Sequence, residues 1–331
     1  MAIQAVAPVR ICDNGGWTDT WFGGPGRVLN VAVLPGVEVT ICATDGPGPV
    51  VLDVESFGDR YGVVPGVSRV PRHLLLEAAI DAFPPPPGRS VEVSVRSAVP
   101  AGCGTGTSAS ISVALIGALA AARGTHLSQR DVASAAHRLE VDVLEGESGI
   151  QDQLSAAFGG IMYLEIETYP EAEVHTLPHW EELSSRLTLV YLGRAHDSSA
   201  VHRQVIADVG CGGSGVLSGL RSAAVAARDA VLSRDLDAFG HAMIVNTEAQ
   251  QSLHPALVGV DAHRVIDVAA THGAVGWKVN GAGGNGGSVT ILSASPETKE
   301  LIDHRIAELD PGYRVLPVGV STIGLQVRGR L

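Results

Sequence analysis

The sequence predicts a two-domain protein of the α+β class. Segments rich in β-branched residues and segments of helical composition follow one another without the strict alternation that a doubly wound parallel sheet requires. The chain has 331 residues, which is more than one hydrophobic core usually serves. The stretch 169–185 is polar and contains proline, and the composition changes after it, so we expect one domain at 1–190 and a second at 191–331.

The N-terminal part combines predicted strands and helices. β-branched residues predict strands at 28–43, with a turn at Gly36, and at 50–54, 90–95, 161–166 and 187–192. Helices are predicted at 72–83, from Thr107 to about 123, and at 128–146. The prolines at 84–87 stop the first of these helices, and Ser128 is the predicted N-cap of the last.

Helices dominate the C-terminal part. They are predicted at 198–209, 214–233, 235–251, 256–271 and 296–308. Two short predicted strands, 276–280 and 288–292, bracket a second glycine-rich loop, and a strand at about 314–327 follows the last helix.

Composition limits the partners that this protein can have. The formal net charge of −12 leaves no basic stripe for nucleic acid, although it allows a nucleotide that arrives with a metal ion. The four cysteines lie far apart and lack metal-ligand spacing, which suits reduced thiols of a cytoplasmic protein. The longest apolar run, at about 111–122, is shorter than the roughly 20 residues that a bilayer crossing needs. We therefore expect a soluble, cytoplasmic protein with no secretory signal and no membrane or nucleic-acid partner.

The stretch Pro100–Ser110, PAGCGTGTSAS, is a candidate anion site. Glycines let the backbone approach a ligand closely, and successive N–H groups can form a nest for an anion. A helix that begins near Thr107 would add its free N–H groups and its dipole. The hydroxyls of Thr107 and Ser108 could donate to a phosphate or ligate Mg²⁺. The same residues also suit a tight strand-to-helix turn capped by a hydroxyl, and this stretch alone does not separate the two interpretations.

The common nucleotide-binding motifs do not explain this stretch. A Walker A loop needs a lysine after a glycine, and neither Lys278 nor Lys299 is so placed. The chain also lacks the His-Arg-Asp triplet of protein kinases. Residues 281–286 match the pattern G-x-G-x-x-G, but the sequence that follows, SVTIL, predicts a strand, whereas a dinucleotide fingerprint opens a helix.

Two further groups of residues accompany the glycine loops. One is the segment 10–20, RICDNGGWTDT, which contains Asp19, and the other is Glu140 followed by GIQDQ at 149–153, which contains Asp152. Taken singly, the aspartates suit turn or capping positions, and Glu140 suits a solvated helix face.

In their order along the chain, these segments resemble the three motifs of the GHMP kinase superfamily, named after galactokinase, homoserine kinase, mevalonate kinase and phosphomevalonate kinase. The matching segments are 7–20, 100–110 and 279–287, and the resemblance covers nearly the whole length. The stretches GGWTDT, VLNVAV and GIQDQ are most similar to the branch of L-fucokinase-like and D-glycero-D-manno-heptose 7-phosphate kinases.

The sequence departs from the family pattern at four positions. Thr105 stands where the second motif usually has leucine, and Thr107 stands where it usually has serine, which keeps a hydroxyl. Asn285 interrupts the third glycine run. Some members have lysine where Arg10 stands, and because arginine stays protonated at neutral pH, its role here would be electrostatic or orienting.

The resemblance implies a fold of two domains, a ribosomal protein S5-like domain followed by a ferredoxin-like domain, with ATP and an acceptor in the cleft between them. It implies that ATP is the cofactor and that its phosphates bind the second motif. The residues expected there are Pro100, Gly102, Gly104, Gly106, Thr107 and Ser108. Mg²⁺ would be held by Ser108 and Glu140, which are oxygen ligands of the kind this ion prefers.

The resemblance also assigns the acceptor site. Asp152 would lie at the acceptor hydroxyl, as a general base or as an orienting group, and Arg10 would stabilise charge on the transferred group or hold Asp152. For Trp17, packing against a sugar face and ordinary core packing are equally compatible with the sequence. The residues expected to contact the acceptor are Gly16, Trp17, Thr18 and Asp19, together with Gly281, Gly283 and Gly284 of the third motif.

The expected product is a sugar 1-phosphate, formed at the anomeric hydroxyl of a fucose-like sugar or a heptose 7-phosphate. Two alternatives stay open, which are a kinase of a non-sugar alcohol and a non-catalytic member that binds a sugar or a nucleotide. A homodimer is compatible with each of them. A lesser cluster could read the far end of the acceptor, or could simply form a solvated helix start; it comprises His196, Asp197, Ser198, Ser199 and Arg203. If the acceptor already carries a phosphate, the segment that contains Arg194, His196 and Arg203 is the candidate cationic pocket.

Overall fold

A computed structural model describes residues 2–67, 71–195, 199–212 and 214–330. These residues form two β-sheets, one of eight strands and one of four, together with ten α-helices. This confirms the predicted α+β class.

The larger sheet is built around one long strand, β2, which pairs with five other strands. Its members are β1 (Ala2–Asn14), β2 (Gly26–Val54), β3 (Asp59–Val63), β4 (Arg89–Ser97), β5 (Ile161–Thr168), β6 (Glu171–Leu177) and two short C-terminal strands, β11 (Gly319–Val320) and β12 (Gln326–Gly329). The predicted turn at Gly36 is wrong, because β2 continues through this position. Gly36 is needed there for a different reason, since a Cβ atom would overlap the carbonyl oxygen of Ala7 on β1.

Four helices cover one face of the larger sheet and form its main hydrophobic core. They are α1 (Leu74–Ala82), α2 (Thr107–Ala122), α3 (Gln129–Arg138) and α4 (Gln151–Phe158). The predicted N-cap is confirmed, because the Ser128 hydroxyl accepts the Asp131 N–H and the Asp131 carboxylate accepts the Ser128 N–H in return. The predicted helix at 128–146 instead ends at Arg138 and continues as a π-helical turn, Leu139–Val143. Turns of this kind are frequent at functional sites.

The smaller sheet has the strand order β10-β7-β9-β8. Its strands are β7 (Leu187–Tyr191), β8 (Ala274–Val279), β9 (Ser288–Ser293) and β10 (Arg314–Leu316). Its helices, with the short ones that connect them, are α5 (Glu181–Arg186), α6 (Ser199–Gly212), α7 (Ser218–Ser233), α8 (Leu236–Leu253), α9 (Val260–Thr271) and α10 (Pro296–Leu309). The remaining 3₁₀ turns are Glu55–Phe57, Ser214–Leu217 and Pro255–Leu257.

The helical hairpin of α7 and α8 joins the two sheets. Its apolar side chains, such as Ala227 and Phe239, share one core with Ile11 and Val31 of the larger sheet and with Leu189 of the smaller sheet. Because both sheets pack against this one core, their relative position is set, and loops from the two sheets can come into contact.

Sheet membership differs from a simple division of the chain at residue 190. β7 already belongs to the smaller sheet, while β11 and β12 return to the larger one. The polar stretch at 169–185, from which the boundary was predicted, forms β6 and the short helix α5. The sequence missed β6 because its exposed face carries charged residues, as suits the edge strand of a sheet.

The close approach of α8 to β8 gives a testable prediction. Alanine normally stabilises a helix interior by about 1 kcal/mol relative to glycine. At Gly240, however, a Cβ atom would overlap the carbonyl oxygen of Val275, so Gly240→Ala is expected to lower the free energy of unfolding by about 1–3 kcal/mol. Urea denaturation measures this, with Gly215→Ala as the control because a Cβ atom there meets open space. A Gly240→Ala variant at least as stable as wild type would contradict the packing.

Candidate active site

The first glycine-rich stretch leads from β4 into α2 and has the backbone that its alternating glycines suggest. Gly102, Gly104 and Gly106 have φ angles of 69°, 76° and 68°, in the left-handed region that is costly for other residues. The loop lines a cavity of about 610 Å³. Of the predicted nucleotide-binding residues, Gly102, Gly104, Gly106, Thr107 and Ser108 line this cavity, whereas Pro100 lies behind the loop, where its carbonyl accepts the Cys103 N–H at 3.3 Å.

The N-terminus of α2 faces this cavity without a side-chain cap. Gly106 occupies the N-cap position and has no side chain. Within the described part of the chain, no side-chain cap bonds to the N–H groups of the first turn. The Thr107 hydroxyl pairs with that of Thr105 at 3.2 Å, and Ser108 is exposed. The interpretation as a turn capped by Thr107 or Ser108 is therefore not what the structure has, and the first N–H groups of α2 are placed for an anion.

The far end of the larger cavity is apolar. Phe57, Leu75 and Ile111 line it, and the same three side chains also line an adjoining cavity of about 330 Å³. The other walls of that second space are mostly apolar. An apolar compartment beside a phosphate-sized loop suits a flat aromatic base. The sequence did not reveal it, because these side chains come from three separate elements.

Arg10 and Asp152 form an ion pair at the end of the glycine loop. The Nε atom of Arg10 donates to Oδ1 of Asp152 at 2.8 Å, and Nη2 donates to Oδ2 at 3.3 Å. Nη1 of Arg10 donates to the carbonyl oxygen of Gly104. The carboxylate of Asp152 also packs against Gly106, where a Cβ atom would lie 2.9 Å from its Cγ. The pair thus connects β1, the glycine loop and α4.

The guanidinium of Arg10 is fixed in its charged form. Burial alone would lower the pKa of Arg10, but the negative charges of Asp13 and Asp152 outweigh burial and raise this pKa above its ordinary value. Arg10 therefore serves as a permanent positive charge beside Asp152 and does not exchange protons.

A smaller cavity of about 140 Å³ adjoins the larger one at Asp152. Arg10, Asp152, Glu147, Gly281 and Ala282 line both this cavity and the larger one. The remaining lining residues are Asp13, Trp17, Asp19, Thr20, Ser148, Gly149 and Gln151. Asp152 therefore stands where a glycine-loop cavity meets an acidic cavity, which is the arrangement that transfer between two ligands requires.

Asp19 is buried at the wall of the smaller cavity. Its Oδ2 atom accepts the backbone N–H of Gln151 at 3.1 Å, and its Oδ1 atom accepts Nε2 of the same residue at 3.2 Å. Gly149 passes so close that a Cβ atom would overlap this carboxylate. Burial, and secondarily the charge of Asp152, raise the pKa of Asp19 to about 6.

The three residues before Asp19 divide between the cavity and the interior. Trp17 lines the smaller cavity, yet it is only 6% exposed and packs in a cluster that includes Val205 and Leu220, so core packing accounts for most of its surface. The Thr18 hydroxyl donates to the Gly15 carbonyl at 2.7 Å and accepts the Arg27 N–H at 3.1 Å, so it stabilises the loop.

Gly16 and the third motif pack against neighbouring backbone or carboxylate groups. A Cβ atom at Gly16 would lie 3.0 Å from Oδ2 of Asp13, and one at Gly281 would lie 2.8 Å from the carbonyl oxygen of Gly104. Gly281 lines both cavities. Gly283 and Gly284 instead pack against the turn Pro255–Leu257, where the Gly284 N–H donates to the Leu257 carbonyl at 2.9 Å.

Glu140 lies on the π-helical turn, and its two carboxylate oxygens differ in their hydrogen bonding. Its Oε2 atom accepts the Ser148 hydroxyl at 2.9 Å and Nε2 of Gln153 at 2.6 Å, while its buried Oε1 atom has no hydrogen-bond partner among the described residues. Burial raises the pKa of Glu140 to about 7, the Ser148 hydrogen bond opposes this shift, and the Asp152 charge adds to it. A buried oxygen without a partner fits a ligand of a hard cation such as Mg²⁺, and Ser108, on the wall of the larger cavity, is a second oxygen donor.

The lesser cluster lies only partly within the described residues. His196, Asp197 and Ser198 lie outside the described residues, and Ser199 is described by its backbone alone, at the start of α6. Arg203 of α6 is exposed and lines the larger cavity. Arg194 does not line either cavity and forms an ion pair with Asp261.

Sequence reasoning missed two buried charges beside the site. Asp13 of β1 and Lys278 of β8 are each 1% exposed, and Nζ of Lys278 lies 3.4 Å from Oδ1 of Asp13. The sequence offers one signal, since Lys278 is one of only two lysines in the chain and stands inside a predicted apolar strand. Its partner could not be identified from sequence, because the two residues are far apart in the chain.

A separate group of metal-ligand types lies on β5 and β6, where ligand atoms of Glu165, Glu173 and His175 are within 4.8 Å of one another. Guanidinium nitrogens of Arg27 and Arg228 already lie 3.9 Å from Glu165, so positive charge is present there without a metal ion. Among the described helices, none combines the length and the apolar content that a bilayer crossing needs.

The raised pKa of Asp19 predicts a pH-dependent stability. Its folded-state pKa of about 6 exceeds the ordinary 3.8, so between these pH values the folded state holds more protons and this group lowers the free energy of unfolding as pH rises. The Asp19→Asn variant has no ionisable group at this position, so its free energy of unfolding does not fall with rising pH for this reason. Its stability relative to wild type should improve from pH 4 to pH 7 by up to roughly 3 kcal/mol, at 1.36 kcal/mol per unit. Urea denaturation at both pH values measures the change, with exposed Asp45→Asn as the control; equal changes in the two variants would contradict the assignment.

Comparison with known proteins finds similarity to kinases. Residues 72–160 match the GHMP kinases N terminal domain. The mevalonate kinase of Pyrococcus horikoshii is 28% identical over 207 residues, which are 59% of this chain and 58% of that protein. The L-fucokinase/L-fucose-1-P guanylyltransferase of Bacteroides fragilis is 23% identical across 97% of this chain and 38% of its own length. The chain therefore spans less than two thirds of either relative.

The solved structures extend the likeness to the whole fold. A D-glycero-D-manno-heptose 1-phosphate kinase from Bacteroides thetaiotaomicron aligns with a TM-score of 0.77 over 99% of both chains, at 20% sequence identity. This chain therefore contains a match to the GHMP kinases N terminal domain and, over its whole length, shares the fold of this kinase.

Proposed function

We propose that this protein transfers the γ-phosphoryl group of ATP to the anomeric hydroxyl of a sugar, giving a sugar 1-phosphate. The observation that carries the proposal is the position of Asp152, which is held by Arg10 at the junction of a glycine-loop cavity and an acidic cavity. We further propose that the reaction takes place in the cytoplasm, where ATP is available, in a cleft between the domain of the larger sheet and the domain of the smaller sheet.

The larger cavity has the parts that a nucleotide needs. The N–H groups of the loop at 102–108 and the N-terminus of α2 would hold the phosphates, and the apolar compartment at Phe57 and Leu75 would hold the base. Ser108 and Glu140 would hold Mg²⁺, which supplies charge neutralisation on the phosphates when it is bound.

The acceptor side is built for hydroxyl groups. Phosphoryl transfer depends mainly on positioning and on charge neutralisation, so the acceptor oxygen must be aligned with the terminal phosphate. Asp152 keeps lone pairs free beyond its bonds to Arg10 and can accept the acceptor's hydroxyl hydrogen. In one form of the mechanism Asp152 takes this proton, and in the other it only orients the hydroxyl. The anomeric hydroxyl suits both forms, because the ring oxygen withdraws electron density and makes it more acidic than an ordinary alcohol.

The charge of the smaller cavity favours a sugar over a carboxylate-bearing alcohol. Four carboxyl groups line it, those of Asp13, Asp19, Glu147 and Asp152, against the single cation Arg10. Carboxylates accept hydrogen bonds from sugar hydroxyls and repel an anionic acceptor. If the sugar already carries a phosphate, that group would have to lie outside this cavity, and Arg203 on the wall of the larger cavity is the candidate cation.

A second candidate function is phosphorylation of a non-sugar alcohol. It is favoured by the printed names of several relatives, which are mevalonate kinases, including the one from Pyrococcus horikoshii. Mevalonate carries a carboxylate, for which the smaller cavity offers only the already paired Arg10. We therefore place this candidate second.

The proposal predicts the acceptor and the product. With Mg²⁺ and ATP, free and phosphorylated hexoses and heptoses are screened for sugar-dependent release of ADP, with mevalonate and homoserine in parallel wells. At least one sugar should be turned over. In the product, ³¹P should couple to the anomeric proton. Coupling only to protons elsewhere on the sugar would contradict the 1-phosphate assignment, and release of ADP with mevalonate alone would favour the second candidate.

Asp152→Asn tests the role of the carboxylate. The variant keeps the size of the side chain but cannot take the proton, so kcat should fall roughly 10²–10⁴-fold if Asp152 is a general base. The Kd for ATP, measured by calorimetry, should change less than twofold, because the N–H groups of the loop at 102–108, and not the Asp152 carboxylate, are proposed to hold the phosphates. Asp142→Asn, at an exposed position nearby, is the matched control. A loss below about fivefold in kcat would show that Asp152 does not act as a base.

A further inference from the structure

The ion pair of Arg10 and Asp152 is the outer end of a longer row of charges. Behind Arg10 lies Asp13, with Oδ2 of Asp13 at 3.8 Å from Nη1 of Arg10. Behind Asp13 lies Lys278, with Nζ at 3.4 Å from Oδ1. The charges therefore alternate from Lys278 through Asp13 and Arg10 to Asp152. The first three side chains are at most 5% exposed, so water screens their interactions poorly.

Asp13 connects both sheets and both glycine loops. Besides the two cations, its Oδ2 atom accepts the backbone N–H of Gly281 at 3.0 Å. Lys278 comes from β8 of the smaller sheet, and Arg10 and Asp13 come from β1 of the larger one. The row of charges thus crosses the boundary between the sheets at the point where Gly281 meets Gly104.

Neutral groups hold the Lys278 ammonium in place, whereas one carboxylate, that of Asp13, balances its charge. Its Nζ atom donates to Oε1 of Gln250 at 2.9 Å and to the carbonyl oxygen of Val279. Within the described residues, Asp13 is the one carboxylate that forms an ion pair with it. Burial lowers the pKa of Lys278, and the charge of Asp13 opposes this shift.

With Lys278 present, Asp13 has a cation of its own, and both N–H donors that Arg10 directs to a carboxylate at hydrogen-bond distance go to Asp152. Without Lys278, the buried Asp13 would depend on Arg10, which would then serve two carboxylates at once. The geometry and the charge around Asp152 would both change.

From this arrangement, which presupposes the proposed phosphoryl transfer, we propose that Lys278 is a positioning residue that acts through Asp13 to keep Arg10 committed to Asp152. Lys278 does not line either cavity, so it acts without touching the nucleotide or the acceptor.

Other titratable groups face this row and set its background charge. Asp19 and Glu140 interact with Asp152, and Tyr169 lies near Asp19. Cys12, beside Asp13, has a pKa raised by burial and stays neutral. Glu147 and Arg203 line the larger cavity. Carboxyl groups outnumber cations here, so the loss of Lys278 adds to an existing excess of negative charge.

The test is a set of charge variants read by a pH profile. Lys278→Met keeps most of the side-chain length and removes the charge. The acidic limb of the kcat profile should move to higher pH by about one unit, since Arg10 would then be shared with Asp13 and would stabilise the charge of Asp152 less. At pH 7 kcat should fall at least about tenfold, and the KM for ATP should change less than twofold.

Asp13→Asn provides the opposite change in charge. It keeps an oxygen that can accept the Gly281 N–H and removes one negative charge, so the acidic limb should move to lower pH. The double variant Asp13→Asn/Lys278→Met restores the charge balance and should bring the limb back to the wild-type position. A residue with only a structural role would not give shifts of opposite sign that cancel. The proposal would be overturned if the acidic limb stayed at its wild-type position in both single variants. It would also be overturned if the limb of the double variant were shifted as far as that of Lys278→Met.

A second readout separates this proposal from the proposed function. The ¹³C carboxyl resonance of Asp152, assigned with Asp152→Asn, can be titrated in the absence of any substrate. It should take up its proton at higher pH in Lys278→Met and at lower pH in Asp13→Asn. If no acceptor were found, the proposed function would fail while this titration still tested the coupling. An unchanged titration in Asp13→Asn overturns the coupling even if Lys278→Met does not fold.

Discussion

The ion pair of Arg10 and Asp152 is the contact on which the arrangement of the site depends. Arg10 extends from a buried strand, bonds to the carbonyl of Gly104 in the glycine loop, and holds a carboxylate at the start of α4. Removing one partner of such a pair leaves a charge in a region poor in water, at a cost of up to about 3–5 kcal/mol. The same guanidinium therefore holds both the glycine loop and the carboxylate of Asp152.

Both sheets contribute to the surroundings of this contact. The α7–α8 hairpin gives the two sheets a common core, and that core brings Gly281 of the third motif against Gly104 of the second. At the same junction Asp13 receives a cation from each sheet, Arg10 from one and Lys278 from the other. The two cavities share the carboxylates of Asp152 and Glu147, and of these Asp152 is the one that Arg10 holds.

Much of this could be predicted from the sequence, for physical reasons that also explain the failures. The α+β class, the N-cap at Ser128 and the special backbone of the glycine loop follow from local propensities, and local signals reveal them. Gly36 was misinterpreted because a glycine marks either a turn or a close approach, and only the neighbouring strand decides which. The ion pair of Lys278 and Asp13 could not be predicted, because the two residues are far apart in the sequence and only the fold brings them together. The roles of Asp19, Glu140 and Ser108 stay predictions, although the structure brings these residues to the cavities or, for Glu140, supplies an unpaired buried oxygen.

The central claim is that the nucleotide and the acceptor meet at Asp152 from opposite sides. A crystal structure of the protein with Mg²⁺ and a non-hydrolysable ATP analogue tests it most directly. The account predicts that the phosphates follow the loop at 102–108, with the terminal phosphate next to Arg10 and Asp152 and the base in the apolar compartment at Phe57 and Leu75. A nucleotide bound elsewhere, or one whose terminal phosphate points away from Asp152, would contradict it.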